Sequence, residues 1–312
     1  MTLTELRYIV AVARERHFGR AAEACHVSQP TLSVAIKKLE EELGLPLFER
    51  AKSEISLTPF GDQVVAQAQR VLEETDVIRQ LAQAHKDQLS GPLRVGAIYT
   101  IGPYLLPELI PTLHARAPDM PLVIKENYTA ELTRRLKQGD LDAIIIALPF
   151  EERGIVTLPV YEEPFVAVLP AAHPWALKDE ISVKELADER LLLLGAGHCF
   201  RDQVLSACPD CNRTAVSDSQ MQRTIEGSSL ETIRHMVASG MGITVLPCTA
   251  VAADRYQQRL LAVRRFADPV PGRTVAIAWR SSFPRPKAIE ALRQSIQECP
   301  LSCVDFVSPG GK

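Results

Sequence analysis

The chain has 312 residues, enough for about two domains, and its 46% hydrophobic and 23% charged content is that of a soluble globular protein. Lys and Arg total 35 against 38 Asp and Glu, a net charge of −3. That balance excludes a histone-like protein held to nucleic acid by bulk charge, and equally an acidic disordered tail. No apolar run nears the roughly 18 residues of a membrane helix, and Met1 to Arg7 lacks the charged head and apolar stretch of a secretory signal. A cytoplasmic protein with no membrane partner is expected.

In chain order, Leu3, Leu6, Ile9, Val10 and Ala13 recur at helical spacing. A short alanine-rich helix fits Gly19 to Cys25. Ser28-Gln29-Pro30 then has the form of a helix start, with Ser at the cap and Pro where its missing N–H does no harm. The helix it opens turns Leu32, Ile36, Leu39 and Leu43 inward and closes at Gly44. Leu47 to Arg50 and Ile55 to Leu57 read as two strands around a turn at 51–54. From Phe60 to Leu89, the residues Val64, Ala68, Val71, Thr75, Ile78, Ala82, His85 and Leu89 form a heptad seam. Such a seam predicts a helix that pairs with a copy of itself. Ser90-Gly91-Pro92 reads as a linker.

Beyond Pro92 strands and helices alternate for about 210 residues, which predicts α/β architecture with largely parallel sheets. Strands are expected at 93–98, 122–124, 141–148, 165–169, 191–194, 243–246 and 274–279, with helices near 183–189, 229–239 and 285–298. Ligands in such folds bind at the carboxyl ends of strands.

The step from Ala21-Ala22 through Ser28 to Ile36 has helix-turn-helix form. Gln29, Thr31, Ser33 and Val34 are suited to base edges, and Arg20, Lys37, Lys38, Arg50 and Lys52 to phosphates. Residues 1–60 hold eight Lys/Arg and eight Asp/Glu, so any basic face must come from segregation. Phe18-Gly19-Arg20-Ala21-Ala22, Val27-Ser28-Gln29-Pro30-Thr31-Leu32-Ser33, Ile36 to Glu40, Leu43-Gly44, Leu47 to Arg50 and Leu57-Thr58-Pro59-Phe60-Gly61 closely resemble the winged helix-turn-helix of LysR-type transcriptional regulators. The resemblance implies a mainly α winged helix-turn-helix DNA-binding domain at 1–59 and a dimerising linker helix and hinge at 60–91. It implies a two-lobed effector domain at 92–312, like a periplasmic binding protein. Lobe I is expected at about 92–163 and 268–298, and lobe II at about 164–267. It also implies promoter DNA and RNA polymerase as partners, and a homodimer or homotetramer.

Seven cysteines stand at 25, 199, 208, 211, 248, 299 and 303, an odd count that in a reducing cytosol does not read as a disulfide framework. Gly197-His198-Cys199-Phe200-Arg201-Asp202-Gln203 and Cys208, supported by Gly96 to Tyr104, Ser228 to Thr232 and Arg273-Thr274-Val275, resemble the OxyR branch of the family, the hydrogen-peroxide sensors. By resemblance, Cys199 is peroxidatic and Cys208 resolving. Thr100 and Thr129 hold the peroxide oxygens, and His198, Arg201, Asp202 and Arg273 complete the pocket. The regulator then activates oxidative-stress defence genes, and a thioredoxin- or glutaredoxin-like donor resets it.

The chemistry agrees. Peroxide attack needs a thiolate, and Cys199 follows a Gly195-Ala196-Gly197 turn at what reads as a helix start, where the dipole favours an anion. Were 199–208 helical, nine steps of about 1.5 Å would hold the two Cα atoms about 13 Å apart. A disulfide needs less than about 7 Å. The bond therefore requires the segment to unwind, which makes oxidation a conformational switch.

Cys211 departs from the family motif. It stands as an alternative resolver or as the partner of Cys208 in a smaller loop. His198, Cys199, Cys208 and Cys211 have no flanking match to a zinc module, so neither metal nor cofactor is expected, and Cys25, Cys248, Cys299 and Cys303 read as structural or incidental. The winged helix and heptad helix serve no turnover, so an enzyme is not expected. The other reading keeps DNA binding but makes the signal a small organic effector, with passive cysteines and Ser228-Ser229 at a helix start suited to a carboxylate.

Overall fold

A computed structural model describes residues 1–50, 55–84, 88–213, 225–252 and 260–307. The chain divides into two compact units, Met1–Lys86 and Asp87–Lys312.

In the first unit α1 (Leu3–Glu15) opens with a capping box between Thr2 and Glu5. α2 (Phe18–Ala24) is capped by His17, and α3 (Gln29–Leu43) by Ser28, whose hydroxyl accepts from the Thr31 N–H. Gly44 ends α3 at φ 76°, a conformation glycine adopts without strain. β1 (Phe48–Arg50) and β2 (Ile55–Leu57) pair antiparallel as a wing; the turn expected at 51–54 lies outside the described residues. α4 (Pro59–Ala84) follows. Gly61 is required at its start, since a Cβ there would lie 2.1 Å from the Leu47 carbonyl oxygen.

Leu6, Ile9, Val12, Ala21, Leu32, Ile36, Leu39 and Leu47 form the core of this unit, and Val64, Ala68 and Val71 of α4 pack on it. The first members of the heptad seam thus serve their own domain, while Ile78 is 67% exposed. The side chains of Ala82 and His85 lie outside the described residues.

The second unit runs β3 (Leu93–Ile98), α5 (Gly102–Arg116), β4 (Leu122–Asn127), α6 (Thr129–Lys137), β5 (Ala143–Ala147), β6 (Ile155–Pro170), β7 (Glu180–Ile181) and β8 (Leu191–Leu194). It continues with α7 (Cys199–Ala207), α8 (Pro209–Arg213), β9 (Ile225–Gly227), α9 (Leu230–Ala238), β10 (Ile243–Pro247), α10 (Thr249–Ala252), β11 (Leu261–Phe266), β12 (Gly272–Arg280), α11 (Pro286–Gln297) and β13 (Asp305–Phe306). The segment near 183–189 is a 3₁₀ turn rather than an α-helix.

The sheet is mixed, which corrects the expectation of largely parallel sheets. β3 pairs parallel with β4 and β5, and β8 with β9 and β10. The middle is antiparallel, however: β12 pairs with β5 and β6, and β6 with β10, β11 and β13. The cause is β6, which runs unbroken for 16 residues. Its Val160 and Tyr161 belong to one buried cluster, with β3, α5 and α11, and its Phe165 to Leu169 to a second, with β8, α7 and α9. One strand therefore feeds two cores, and a chain that must return across it runs antiparallel.

Candidate redox site and DNA-facing helix

The carboxyl ends of β3 and β4 carry Tyr99-Thr100 and Asn127-Tyr128-Thr129 to one small cavity, closed by Gly197, His198 and Cys199 ahead of and at the start of α7. Gly197 adopts φ 96°, which turns the chain so that His198 becomes the residue before the helix and Cys199 its first. The open volume is about 10 Å³, near the minimum that admits one water molecule.

Two polar atoms in its wall are buried without a protein partner, the Thr129 hydroxyl and His198 Nε2. Neither makes a capping bond: Thr129 is the first residue of α6, after the cap residue Tyr128, and His198, the cap residue of α7, makes no side-chain hydrogen bond to that helix. Such unpartnered groups are costly in an interior, and a small polar ligand would satisfy them. His198 is only 5% exposed, and its ring lies edge-on to Tyr128 at 4.7 Å. Burial lowers its pKa, against a backbone hydrogen bond with Ser228 that raises it. The imidazole is therefore neutral at neutral pH, and with its one N–H given to Ser228 the free Nε2 presents a lone pair that accepts.

Thr100, 2% exposed, is held from behind. Arg273 Nη1 donates to its hydroxyl and Nη2 to its carbonyl, both at 2.8 Å. The Arg273 Nε donates to Glu163 Oε2 at 2.8 Å, and both charged side chains are wholly buried. The other Glu163 oxygen accepts from the Thr249 N–H (3.1 Å) and its hydroxyl. With Arg273 donating to it, the Thr100 hydroxyl keeps its own proton free to donate. Arg273 also lies 5.3 Å over the Phe200 ring, on the first turn of α7.

In the first unit, Gln29, Pro30, Thr31, Val34, Lys37 and Lys38 are exposed on α3, and Ser33 half-exposed. Residues 29, 33, 37 and 30, 34, 38 stack at i, i+4 opposite buried Leu32, Ile36 and Leu39. Arg20 is exposed, with Nη2 donating to the Glu15 carbonyl.

Comparison with known proteins gives the same two parts. The lysR-family bacterial regulatory helix-turn-helix matches residues 3–62, and the LysR substrate binding domain residues 86–299. The "Hydrogen peroxide-inducible genes activator" of Dickeya chrysanthemi is 40% identical over 96% of this chain and 95% of its own. The DNA-binding transcriptional dual regulator OxyR of Escherichia coli is 40% identical over 95% of each. Full-length C199D OxyR of Pseudomonas aeruginosa superposes with a TM-score of 0.79, at 59% identity over 99% of each chain. The chain belongs to the LysR family, in its OxyR branch. An H2O2-bound mutant OxyR of Corynebacterium glutamicum is also similar, with a TM-score of 0.62 at 33% identity, covering 95% of this chain and 91% of that one.

In this OxyR-branch chain the cavity gathers Thr100, Thr129 and His198 around Cys199. It does not gather Arg201 or Asp202. Arg201 donates to the Leu194 carbonyl and pairs with Glu226, and Asp202 is exposed. Arg273 reaches the cavity only through Thr100. A wider cleft of about 810 Å³ shares Arg273 and Glu163 in its wall, but is rimmed by Glu151, Glu162 and Asp305 and does not include Cys199. The side chain of Arg50 and the whole of Lys52 lie outside the described residues.

The cysteines give the largest difference from expectation. α7 is helical from Cys199 to Ala207, Cys199 is a free thiol, and Cys208 is bonded to Cys211 with Cα atoms 5.4 Å apart. Cys208 is thus not a thiol in this state. Cys248 and Cys303, read as structural or incidental, are joined in a second disulfide, so the chain carries bonds that the cysteine count had spoken against. Glu163 and Thr249, which hold Arg273 in place, are residues that sequence reasoning missed. A lone Glu after Glu162 has no signature, and only the register that sets Glu163 opposite Arg273 reveals its role.

Proposed function

We propose that the chain is a hydrogen-peroxide-sensing transcriptional activator. Peroxide enters the Cys199 cavity, the Cys199 thiolate attacks it, and the resulting sulfenic acid condenses with Cys208 after α7 unwinds. The observation that carries this reading is the pairing of a free thiol with two buried, unpartnered polar atoms in a cavity of about 10 Å³. A space so near the one-water minimum leaves room only for a ligand of the smallest size and none for an organic effector. Ser229, the candidate anchor for a carboxylate, already caps α9 by accepting from the Thr232 N–H.

Three roles follow in this reading. The Thr100 and Thr129 hydroxyls donate to the peroxide oxygens, and neutral His198 completes the hydrogen bonding. Arg273 positions Thr100. Arg201 and Asp202 act on α7 from outside the cavity.

The N-terminal domain, residues 1–59, reads promoter DNA through α3. Gln29, Thr31 and Ser33 face base edges, Ser28 and Pro30 set the helix start, and Arg20, Lys37, Lys38, Arg50 and Lys52 face phosphates. Residues 60–91 form the linker through which copies pair, with Ile78 exposed for that contact, and residues 92–312 form the two-lobed, periplasmic-binding-protein-like effector domain. The lobes divide at about 163–164 and 267–268. The assembly is a cytoplasmic homodimer or homotetramer that contacts RNA polymerase at oxidative-stress promoters, needs no cofactor or metal, catalyses no turnover, and is reset by a thioredoxin- or glutaredoxin-like reductant. No helix among the described residues is long and apolar enough to cross a membrane.

A reporter fused to a target promoter tests the reading. Wild type should respond to micromolar peroxide and Cys199→Ser should not. A Cys199→Ser chain that still responds overturns it.

A further inference from the structure

Cys208 sits where two thiols compete for it. It is the residue that ends α7, its N–H donating to the Val204 carbonyl, and Cys211 lies one turn on, its N–H donating to the Cys208 carbonyl. The Cys208–Cys211 bond forms with α7 fully helical and with Phe200 and Val204 buried in the second core. A Cys199–Cys208 bond does not permit that helix, because nine helical steps hold the Cα atoms about 13 Å apart. The two disulfides of Cys208 therefore belong to two conformations, and only one retains the native packing of α7.

We infer that Cys211 is a second resolving residue, which takes Cys208 away from Cys199 and shuts the switch off without a reductant. The proposal rests on the peroxide-sensing reading and adds a step to it. In the first step Cys199 Sγ attacks one peroxide oxygen, the O–O bond breaks, and a sulfenic acid and one water form. In the second the Cys208 thiolate displaces the sulfenic oxygen, which leaves as water, and the Cys199–Cys208 bond forms with α7 unwound. In the third the Cys211 thiolate attacks Cys208 Sγ. The Cys199–Cys208 bond breaks, Cys199 leaves as a thiolate and takes up the proton that Cys211 lost. The net change is one peroxide and two thiols to one disulfide and two waters, with Cys199 regenerated.

The direction of the third step follows from packing. Exchange gives one disulfide for another, so bond energies nearly cancel, while α7 refolds and reburies Phe200 and Val204. Its rate follows from tethering. Cys211 is three residues from Cys208 and stays beside it however α7 moves, at an effective concentration set by that short span. Two consequences separate this chain from a sensor with one resolving cysteine. Its active form is a pulse, and after the pulse the chain stores the oxidation at Cys208–Cys211 while Cys199 is again a thiol.

The test is a disulfide map by mass spectrometry over time. The full chain is reduced, freed of reductant under anaerobic conditions, given one equivalent of H2O2, and quenched with acid and alkylating agent. Wild type should show Cys199–Cys208 rising and then falling, at least tenfold from its peak, as Cys208–Cys211 accumulates and Cys199 regains its alkylation. In Cys211→Ser and Cys211→Ala the Cys199–Cys208 bond should instead accumulate and stay. The wild-type course needs no variant to fold. If wild-type Cys199–Cys208 persists as it does in the variants, Cys211 is a spectator and the relay is overturned. It is also overturned if Cys199→Ser forms Cys208–Cys211 at the wild-type rate. If Cys199 keeps its alkylation throughout in wild type and both Cys211 variants, the peroxide-sensing reading itself fails, and the relay with it.

Discussion

Arg273 and Glu163 form an ion pair from which solvent is wholly excluded, at 2.8 Å, and the free face of that guanidinium holds both oxygens of Thr100. Two buried charges are tolerated only because every polar atom is used. The pair joins β6, β12, the end of β3 and, through Thr249, the start of α10. Removing one partner strands the other. Glu163→Gln and Arg273→Met should each destabilise the second unit by about 3–5 kcal/mol, and the double variant by much less than their sum. Urea unfolding of the three variants measures the coupling.

The two cavity threonines should behave oppositely. Thr129→Val removes a hydroxyl with no partner, so stability should hold or rise by about 1 kcal/mol. The rate of Cys199 oxidation should fall about ten- to a hundredfold, the equivalent of one hydrogen bond to a charged group. Thr100→Val leaves an Arg273 N–H unpaired in the interior and should cost about 1–3 kcal/mol as well as rate. Stopped-flow thiol loss and urea midpoints on both variants separate the two effects.

His198 should make stability fall in mild acid. Its folded pKa lies below the ordinary 6.5, chiefly from burial. Between the two values the unfolded chain binds a proton that the folded chain does not, so stability rises with pH across that window. Above 6.5 both states are neutral and the contribution is constant; as pH falls below 6.5 stability is lost. His198→Gln should flatten the fall of the unfolding midpoint as pH drops below 6.5 relative to wild type. An equal slope in the variant would place the titration elsewhere.

Phe200 anchors the first turn of α7, edge-on to Phe165 at 5.0 Å and beneath Arg273. Phe200→Ala should weaken that anchoring by about 3–5 kcal/mol. Because the Cys199–Cys208 bond needs α7 unwound, the variant should form it faster after peroxide. Quenched-flow disulfide mapping should show a shorter lag than wild type.

What the sequence disclosed follows local physics. Ser28 and Gly44 bound α3 because each serves backbone groups within a few residues, and Pro30 has no N–H to leave unpaired there. Cys199 at a helix start after glycine was legible for the same reason. β6 was half-hidden, because Pro159, Glu162, Glu163 and Pro164 break its alternation while the strand is held by partners more than 75 residues away. Glu163 was hidden with it. The bond between Cys208 and Cys211 remained one of two options in the sequence, because the choice turns on whether α7 is folded, which is a tertiary matter. The heptad reading of Val64, Ala68 and Val71 met the limit of pattern: the same spacing serves a neighbouring helix of one's own domain or a partner copy.

The most direct test of peroxide sensing at Cys199 is its alkylation after the fully reduced chain meets one equivalent of H2O2 for under a second. Cys199 should lose its label first, ahead of half-buried Cys25 and buried Cys299, and the loss should match peroxide consumed one to one. Cys199 still fully alkylated while peroxide or another cysteine is consumed would contradict a sensor built on that thiol.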